Sequence, residues 1–529
     1  MTRINHIKLG LLSAAACMAA SCTGDFDSFN TNPDAVQQID VKNYITTMER
    51  DAVIPTSDEG ANEYQRACNL MGDTFGGYFA PIQAFNGGSY TCTYDLDGTD
   101  YNNVPFSVAF TNVMPAWLQL KYAHENGQIT DDIFAVAEVI RVMALQRATD
   151  IYGPIPVSHF GETENPYESQ QTVYENLFRD LDAAIATLTE YATNSADAHP
   201  LEKVDAIYQG DYPKWLKLAN SVKLRMAMRI RFVEPGKAQE YAEAAVAAGV
   251  MESSDDGAWL KTSGSIVIFN PLEEVWNAYE DTRMGATIDA YMNGYDDPRL
   301  PIYFKGSELD SKYHGVRSGL KSMLKEHYTR LSVPNVAKTT PVVWMLASEV
   351  AFLRAEGAML NWDMGGKDED FYKKGIELSF LENGLSAGDA AAYAESDAQP
   401  GKFEDSSEST NKYNYAQPST ITPKWNASAG DEEKLERIIT QKWLAMYPNG
   451  QEAWSEFRRT GYPKLIPIVD NMSGGKVATD EQVRRMTFPR SEYSNNLTGV
   501  QQAISLLGGP DTGCLLYTSD AADDLIGVD

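Results

Sequence analysis

The chain has 529 residues, 43% of them hydrophobic, enough to bury a sizeable core or two merged subdomains. Its 74 acidic residues against 44 basic ones leave a net charge of −30, which argues against nucleic acid as a partner because phosphate binding needs a basic surface. The 28 tyrosines and 9 tryptophans instead suit neutral ligands held by ring stacking.

At the N-terminus, Arg3 and Lys8 flank the start of an apolar run from Leu9 to Ala20. That run has the length of a secretory h-region and is short of the roughly 20 residues a membrane-spanning helix needs. Ala19, Ala20 and Ser21 then lead into Cys22. An ordinary cleavage site has no use for a cysteine there. A lipoprotein signal does, because the thiol takes a diacylglyceryl group before cleavage leaves it as the new N-terminus. Ala19 stands where leucine is usual, and the alternative is a plain signal peptide with an incidental cysteine. The expected organisation is a signal peptide over 1–21, a lipidated Cys22 with an acidic surface leash over 22–40, and one body over 41–513. Each buried lipid CH₂ contributes roughly 0.8 kcal/mol, so several acyl chains hold such a body at the membrane.

The body reads as mainly α. "DDIFAVAEVIRVMALQRATDIYG" begins with Asp131 and Asp132, runs apolar at helical spacing and stops at Gly153-Pro154. "QQTVYENLFRDLDAAIATLTEYA" follows, with Thr172 and Glu175 in capping-box spacing and Val173, Leu177, Leu181, Ile185 and Leu188 on one face. Further pairs are "PKWLKLANSVKLRMAMRIRF" with "KAQEYAEAAVAAGVM", and "SEVAFLRAEGAMLNW" with "EDFYKKGIELSFLENG". The last pair is "DEEKLERIITQKWLAMY" with "QEAWSEFRR". Helices with Ala and Gly at the contact face, joined in pairs by short turns, predict irregular tetratricopeptide-like hairpins. Between them lie long stretches rich in Gly, Asn, Asp and Tyr, over Phe85–Phe106, Gly264–Gly319 and Ala387–Gly430. Loops of that length in a compact protein are usually functional or partner-facing.

No catalytic signature holds up: there is no Gly-x-Ser-x-Gly, no His-Glu-x-x-His and no phosphate loop. Carboxylates are plentiful, so a glycosidase-like pair is one reading, with a solvated acidic surface as the plainer one. Asp95, Asp97 and Asp100 in "DLDGTD" are weak calcium candidates that do not follow the EF-hand order. No other cofactor is expected. Export would place Cys68 and Cys92 in a compartment that permits a disulfide.

The aromatic loops carry the ligand expectation. Tyr90, Tyr94 and Tyr101 crowd one loop beside Gly87-Gly88; Trp276, Tyr279 and Tyr291 occur in another loop-rich stretch. Flat rings offer apolar faces to sugar C–H groups or to peptide side chains. The competing reading of each ring is that it packs its loop onto the helices.

At the other end, "CLLYTSDAADDLIGVD" follows "LLGGPDTG" without structural logic. Its first ten residues match a translation of a widely used transposon sequencing adapter, so residues 514–529 are expected to be an artefact, with native residues missing after Gly513.

Several long blocks together resemble the SusD/RagB family of outer-membrane lipoproteins. They are "FDSFNTNPDAV" after the cysteine, "LQRATDIYGPIPVS", "PYESQQTVYENLFRDLDAAIATL", "PKWLKLANSVKLRMAMRI", "ASEVAFLRAEGAML" and "ITQKWLAMYPNGQEAWSEFRRTGYPKL". The resemblance covers nearly all of 22–513. It implies four tetratricopeptide-like helix pairs supporting a loop-rich ligand-binding half. It also implies a surface-exposed, lipid-anchored, non-enzymatic protein that captures an oligosaccharide or a peptide and delivers it to a SusC-like TonB-dependent barrel. Binding residues in this family follow no fixed motif, so none is carried over. In the last block, Trp443 and Trp454 are expected to pack and Arg458 and Arg459 to bridge carboxylates. The rival functions are a surface glycoside hydrolase and a helical scaffold whose only ligand is another protein.

Overall fold

A computed structural model of the protein describes residues 40–57, 60–97, 100–407, 412–514 and 516–518. The leader, Cys22 and the leash up to residue 39 lie outside the described residues, as does most of the terminal stretch. No helix among the described residues is long and apolar enough to cross a membrane.

The expected hairpins are present. Helix α1 (Asn43–Asp51) and α2 (Met114–Glu125) precede the long pair α3 (Asp131–Tyr152) and α4 (Gln170–Asn194). They are followed by α5 (Tyr212–Arg229) with α6 (Pro235–Ala248), a short α7 (Ala286–Gly294), α8 (Ala347–Met359) with α9 (Asp368–Glu382), and α10 (Asp431–Ala445) with α11 (Gly450–Thr460). Helix α12 (Leu497–Leu507) follows near the end of the described residues.

Local chemistry sets the boundaries. Gly153, at φ +77°, ends α3 in a conformation that favours glycine. Helix α4 is capped three residues earlier than the Thr172–Glu175 spacing implies: the Ser169 hydroxyl accepts the Thr172 amide at 3.1 Å. Of its apolar stripe, Val173, Leu177, Leu181 and Leu188 are fully buried. Asp211 caps α5, Asn449 caps α11, and prolines sit in the first turns of α5 and α6.

Where α3, α5, α8, α10 and α11 converge, the core holds charge. Arg225 grips Glu349 through two bonds of 2.7 Å. Arg229 reaches Asp150 at 3.4 Å, Glu456 at 3.1 Å and also Glu452. Arg459 pairs with Glu356 and Glu456, Arg231 with Glu356, and Lys442 with Glu456. Thus Arg459 does bridge carboxylates, whereas Arg458 donates to the Asp150 and Arg484 carbonyls and to the Ser455 hydroxyl. Trp443 and Trp454 pack, fully buried, beside this network.

Cys68 and Cys92 are free and buried, not bonded to each other. The Cys68 sulfur faces an Arg147 guanidinium nitrogen at 3.4 Å, and the Cys92 thiol donates to the Leu70 carbonyl at 3.2 Å. Burial pushes both thiols up to about 12, which leaves them unreactive.

Two short antiparallel ladders organise the irregular half. Strand β1 (Phe79–Pro81) pairs with β3 (Thr282–Met284), in the register Phe79–Met284, Ala80–Arg283 and Pro81–Thr282. Strand β2 (Ala258–Leu260) pairs with β4 (Val342–Met345).

Candidate functional site

The β1–β3 ladder brings together two stretches that lie about 200 residues apart in sequence. The first aromatic loop leaves β1 at its C-terminal end, and the second arrives at β3 from Trp276 and Tyr279. The Ile82 amide donates to the Asp281 carbonyl at 3.0 Å and extends the pairing. Just beyond it, the Gln83 side-chain amide donates to the Asp281 carboxylate, which ties the start of the first loop to the end of the second.

The first loop is braced from beneath. Leu70, Tyr90 and Cys92 form a small core of their own, onto which Phe85 and Tyr101 pack while remaining partly exposed. The rings of Phe85 and Tyr90 lie 5.8 Å apart. Asn86, Gly87 and Gly88 all have positive φ, and a Cβ on Gly88 would run into the Lys321 carbonyl. Glycine is thus required where the loop turns back under Phe85.

Polar groups converge beside the rings. Asp281 accepts from the Gln65 side-chain amide at 2.8 Å, from Lys325 Nζ at 3.1 Å and from the Gln83 side-chain amide. Lys325 also donates to the Tyr279 carbonyl at 2.5 Å. Burial raises the Tyr101 hydroxyl above its ordinary range, with the Arg66 charge opposing. Leu324, 57% exposed, adjoins Lys325. The result is a set of partly exposed rings bordered by amides and fixed charges, a composition suited to a largely neutral ligand.

The structure divides the six aromatic candidates. Tyr101, Trp276 and Tyr279 are partly exposed. Trp276 has Lys305 Nζ 4.1 Å from its ring centroid and donates its indole N–H to the Val336 carbonyl at 2.9 Å. Tyr90, Tyr94 and Tyr291 are no more than 2% exposed and are core residues, not ligand platforms. Tyr94 packs against Phe75 and Tyr291 against Trp443, partners outside their own loops. Phe85, Gln83, Asp281 and Lys325 escaped the sequence reading, although Phe85 beside Asn-Gly-Gly carried the signal of a presented ring.

The three calcium candidates do not converge. Asp95 accepts from Ser89, Asp97 pairs with Lys476 at 2.5 Å, and Asp100 with Arg490 at 3.3 Å. Among the described residues no group of three or more acidic, His or Cys side chains is placed to hold a metal ion.

Comparison with known proteins agrees with this architecture. The family described as "SusD-like: Susd and RagB outer membrane lipoprotein" matches residues 27–516. No curated protein sequence matches significantly. Among solved structures, a chitin-binding SusD homologue from Flavobacterium johnsoniae superposes with a TM-score of 0.85 at 35% identity, covering 90% of this chain and 98% of its own. A SusD-like protein from Bacteroides thetaiotaomicron gives 0.84 at 37% identity, with the same coverage. A SusD homologue from Bacteroides uniformis gives 0.83 at 37%, covering 91% and 100%. With a family match over most of its length and helix pairs arranged as in these homologues, the chain belongs to the SusD-like family of outer-membrane lipoproteins.

Proposed function

We propose that this protein is a non-enzymatic nutrient-binding lipoprotein that captures oligosaccharides on the face built by Phe85, Tyr101 and Tyr279. In this reading it is anchored to the outer membrane through Cys22 and passes its ligand to a SusC-like TonB-dependent barrel. The observation that carries it is the pair of partly exposed rings, Phe85 and Tyr101, seated over a rigid floor beside Gln83, Asp281 and Lys325. The chitin-binding homologue makes chito-oligosaccharides the first ligands to try. A hydrolytic role has less support: Asp150, Glu349, Glu356, Glu452 and Glu456, the buried carboxylates of the core network, are all engaged by Arg or Lys side chains.

A peptide ligand is the second reading, favoured by the fixed charges Asp281 and Lys325, which could orient the termini of an extended chain. Isothermal titration of the soluble body with a glycan panel and mixed peptides separates the two. Saturable glycan binding, weakened two- to tenfold in Tyr101→Ala with the fold intact, supports the oligosaccharide reading. Peptide-only binding moves the ligand class. Absence of both would overturn capture at this face.

A further inference from the structure

Beside α1 lies a surface patch whose polarity and charge both differ from the rest of the molecule. Beyond β2 the chain alternates: Ile266 and Ile268 are buried, while Val267 and Phe269 are 46% and 50% exposed. The inward pair serves the core, and the outward pair packs on nothing that needs it. Lys338 Nζ lies 4.5 Å from the Phe269 ring centroid, so its ammonium rests on an apolar face.

Backbone contacts join four segments into this one patch. Arg50 on α1 donates to the Val267 carbonyl at 2.9 Å. Glu49 accepts the Ala206 amide at 2.9 Å, and the Thr46 hydroxyl donates to the Val204 carbonyl. The Lys261 amide donates to the Ala206 carbonyl at 3.4 Å, and the Asn270 amide to the Lys338 carbonyl at 2.9 Å.

The charge of these segments runs against that of the chain, whose net charge is −30. Within 41–51, 201–206, 261–270 and 336–340, Lys42, Arg50, Lys203, Lys261 and Lys338 are exposed or partly exposed. Against them stands one exposed carboxylate, Glu202, because Glu49, Asp51 and Asp205 are buried. None of the five cations is ion-paired among the described residues. Elsewhere on the surface lysines are answered by acids, as in Lys121–Glu125, Lys237–Glu175, Lys373–Glu369 and Lys424–Asp397.

Unpaired cations around two exposed apolar side chains suit an anionic surface with an apolar interior. Phosphate headgroups answer the cations, and the acyl boundary takes the Phe269 ring and Val267. A neutral glycan has no use for the charge. The rest of so acidic a molecule is repelled by such a surface, so this patch also sets which side approaches it. Its place agrees, since α1 is the first described helix after Cys22.

We propose that the Val267–Phe269 patch, with Arg50, Lys261 and Lys338, is a membrane-docking surface that rests on anionic lipid and orients the anchored body. The biological role rests on the lipoprotein reading of Cys22, but the test uses a chain without that residue and no glycan, so the two can fail separately.

The chain from Thr23, which keeps every described residue, is floated with vesicles of phosphatidylcholine alone or mixed with phosphatidylglycerol. Binding is expected to the mixed vesicles only and to fall with added salt. Lys261→Glu with Lys338→Glu should weaken it about tenfold or more. Lys237→Glu with Lys373→Glu, the same change in net charge on α6 and α9, should alter it less than twofold. Val267→Ser with Phe269→Ser should weaken it several-fold; all six positions are exposed or partly exposed, and unchanged thermal melts confirm the fold. The proposal is overturned by no binding to the mixed vesicles, by equal losses in the two charge-reversed pairs, or by binding that both patch pairs leave intact. Self-association abolished by Phe269→Ser, without vesicle binding, would give the patch to a second copy of the chain and also overturn it.

Discussion

Whether a tyrosine in this protein meets ligand or core depends on what lies behind its loop, and side-chain replacement can distinguish the two. Tyr101→Ala removes a partly exposed ring and should weaken glycan binding two- to tenfold, the range expected of a single aromatic contact worth about 0.5–1.5 kcal/mol. Its melting temperature should stay near that of the parent. Tyr90 sits one layer down, fully buried, with a hydroxyl that has no partner in the protein. Replacing it by Phe deletes that unmatched group while keeping the ring, so Tyr90→Phe should leave the protein as stable or more stable, by up to about 1 kcal/mol. Thermal melts of the two variants, read beside titration calorimetry, check both. A Tyr90→Phe protein that loses both stability and binding would show that the hydroxyl is used. Sequence alone singled out the aromatic loop but could not rank its rings by exposure. Tyr94 is covered by Phe75, and Tyr291 by Trp443. The exposure of a ring is therefore decided by neighbours that local spacing does not reveal.

Among elements, the contrast lies between helices held by side chains and helices held by backbone contact. The long helices were legible because their apolar residues recur at helical spacing and their ends carry Ser, Asp, Asn or Gly. The irregular turns at Gln65–Asp73, Val108–Val113 and Glu274–Ala278, which have π-helical hydrogen bonding, were not, since nothing in composition marks an i→i+5 bond. One of them shows why glycine matters here. Helix α11 lies so close to the 65–73 segment that a Cβ on Gly72 would stand 2.7 Å from the Gln451 Cα, and one on Gly450 would strike the Asp73 backbone. Gly450→Ala should destabilise the protein by roughly 1–3 kcal/mol through overpacking, seen as a lowered urea midpoint. The core network is legible only in retrospect. Arg225 and Arg229, and Glu452 and Glu456, are charges four residues apart on otherwise buried faces, which is the signature of a partnered interior. Arg459→Ala would strip Glu356 and Glu456 of their shared guanidinium and should cost about 3–5 kcal/mol. Replacing Arg459 by Lys should rescue only part of that, because the two-pronged geometry to Glu356 is lost.

For the whole molecule, two sets of buried carboxyls pull stability in opposite directions with pH. Burial pushes Asp73 and Asp289 up to about 6 and Glu382 up to about 7. In the unfolded chain such groups titrate near ~4, so the folded protein holds these protons more tightly. Their favourable contribution is complete below about pH 4 and is lost as pH rises toward about 7. Glu356, Glu452 and Glu456 behave oppositely. Burial pushes each up, but the surrounding Arg and Lys charges outweigh it and hold them below the ordinary range. Their contribution is complete above their unfolded value of ~4.3 and is lost as pH falls through the depressed folded value. Stability should therefore peak in mild acid, at roughly pH 4.5–6, and not at neutrality. The net charge of −30 adds self-repulsion on the alkaline side, but salt screens that part while leaving a buried carboxyl almost unaffected. Glu382→Gln separates the two contributions. The Ser348 amide, which donates to Glu382 Oε1 at 3.0 Å, keeps an acceptor in the variant. The variant's gain in stability over the parent should grow between pH 5 and pH 8 and survive added salt. Parallel profiles for variant and parent would mean that Glu382 is charged in the folded protein and contributes nothing to the alkaline loss.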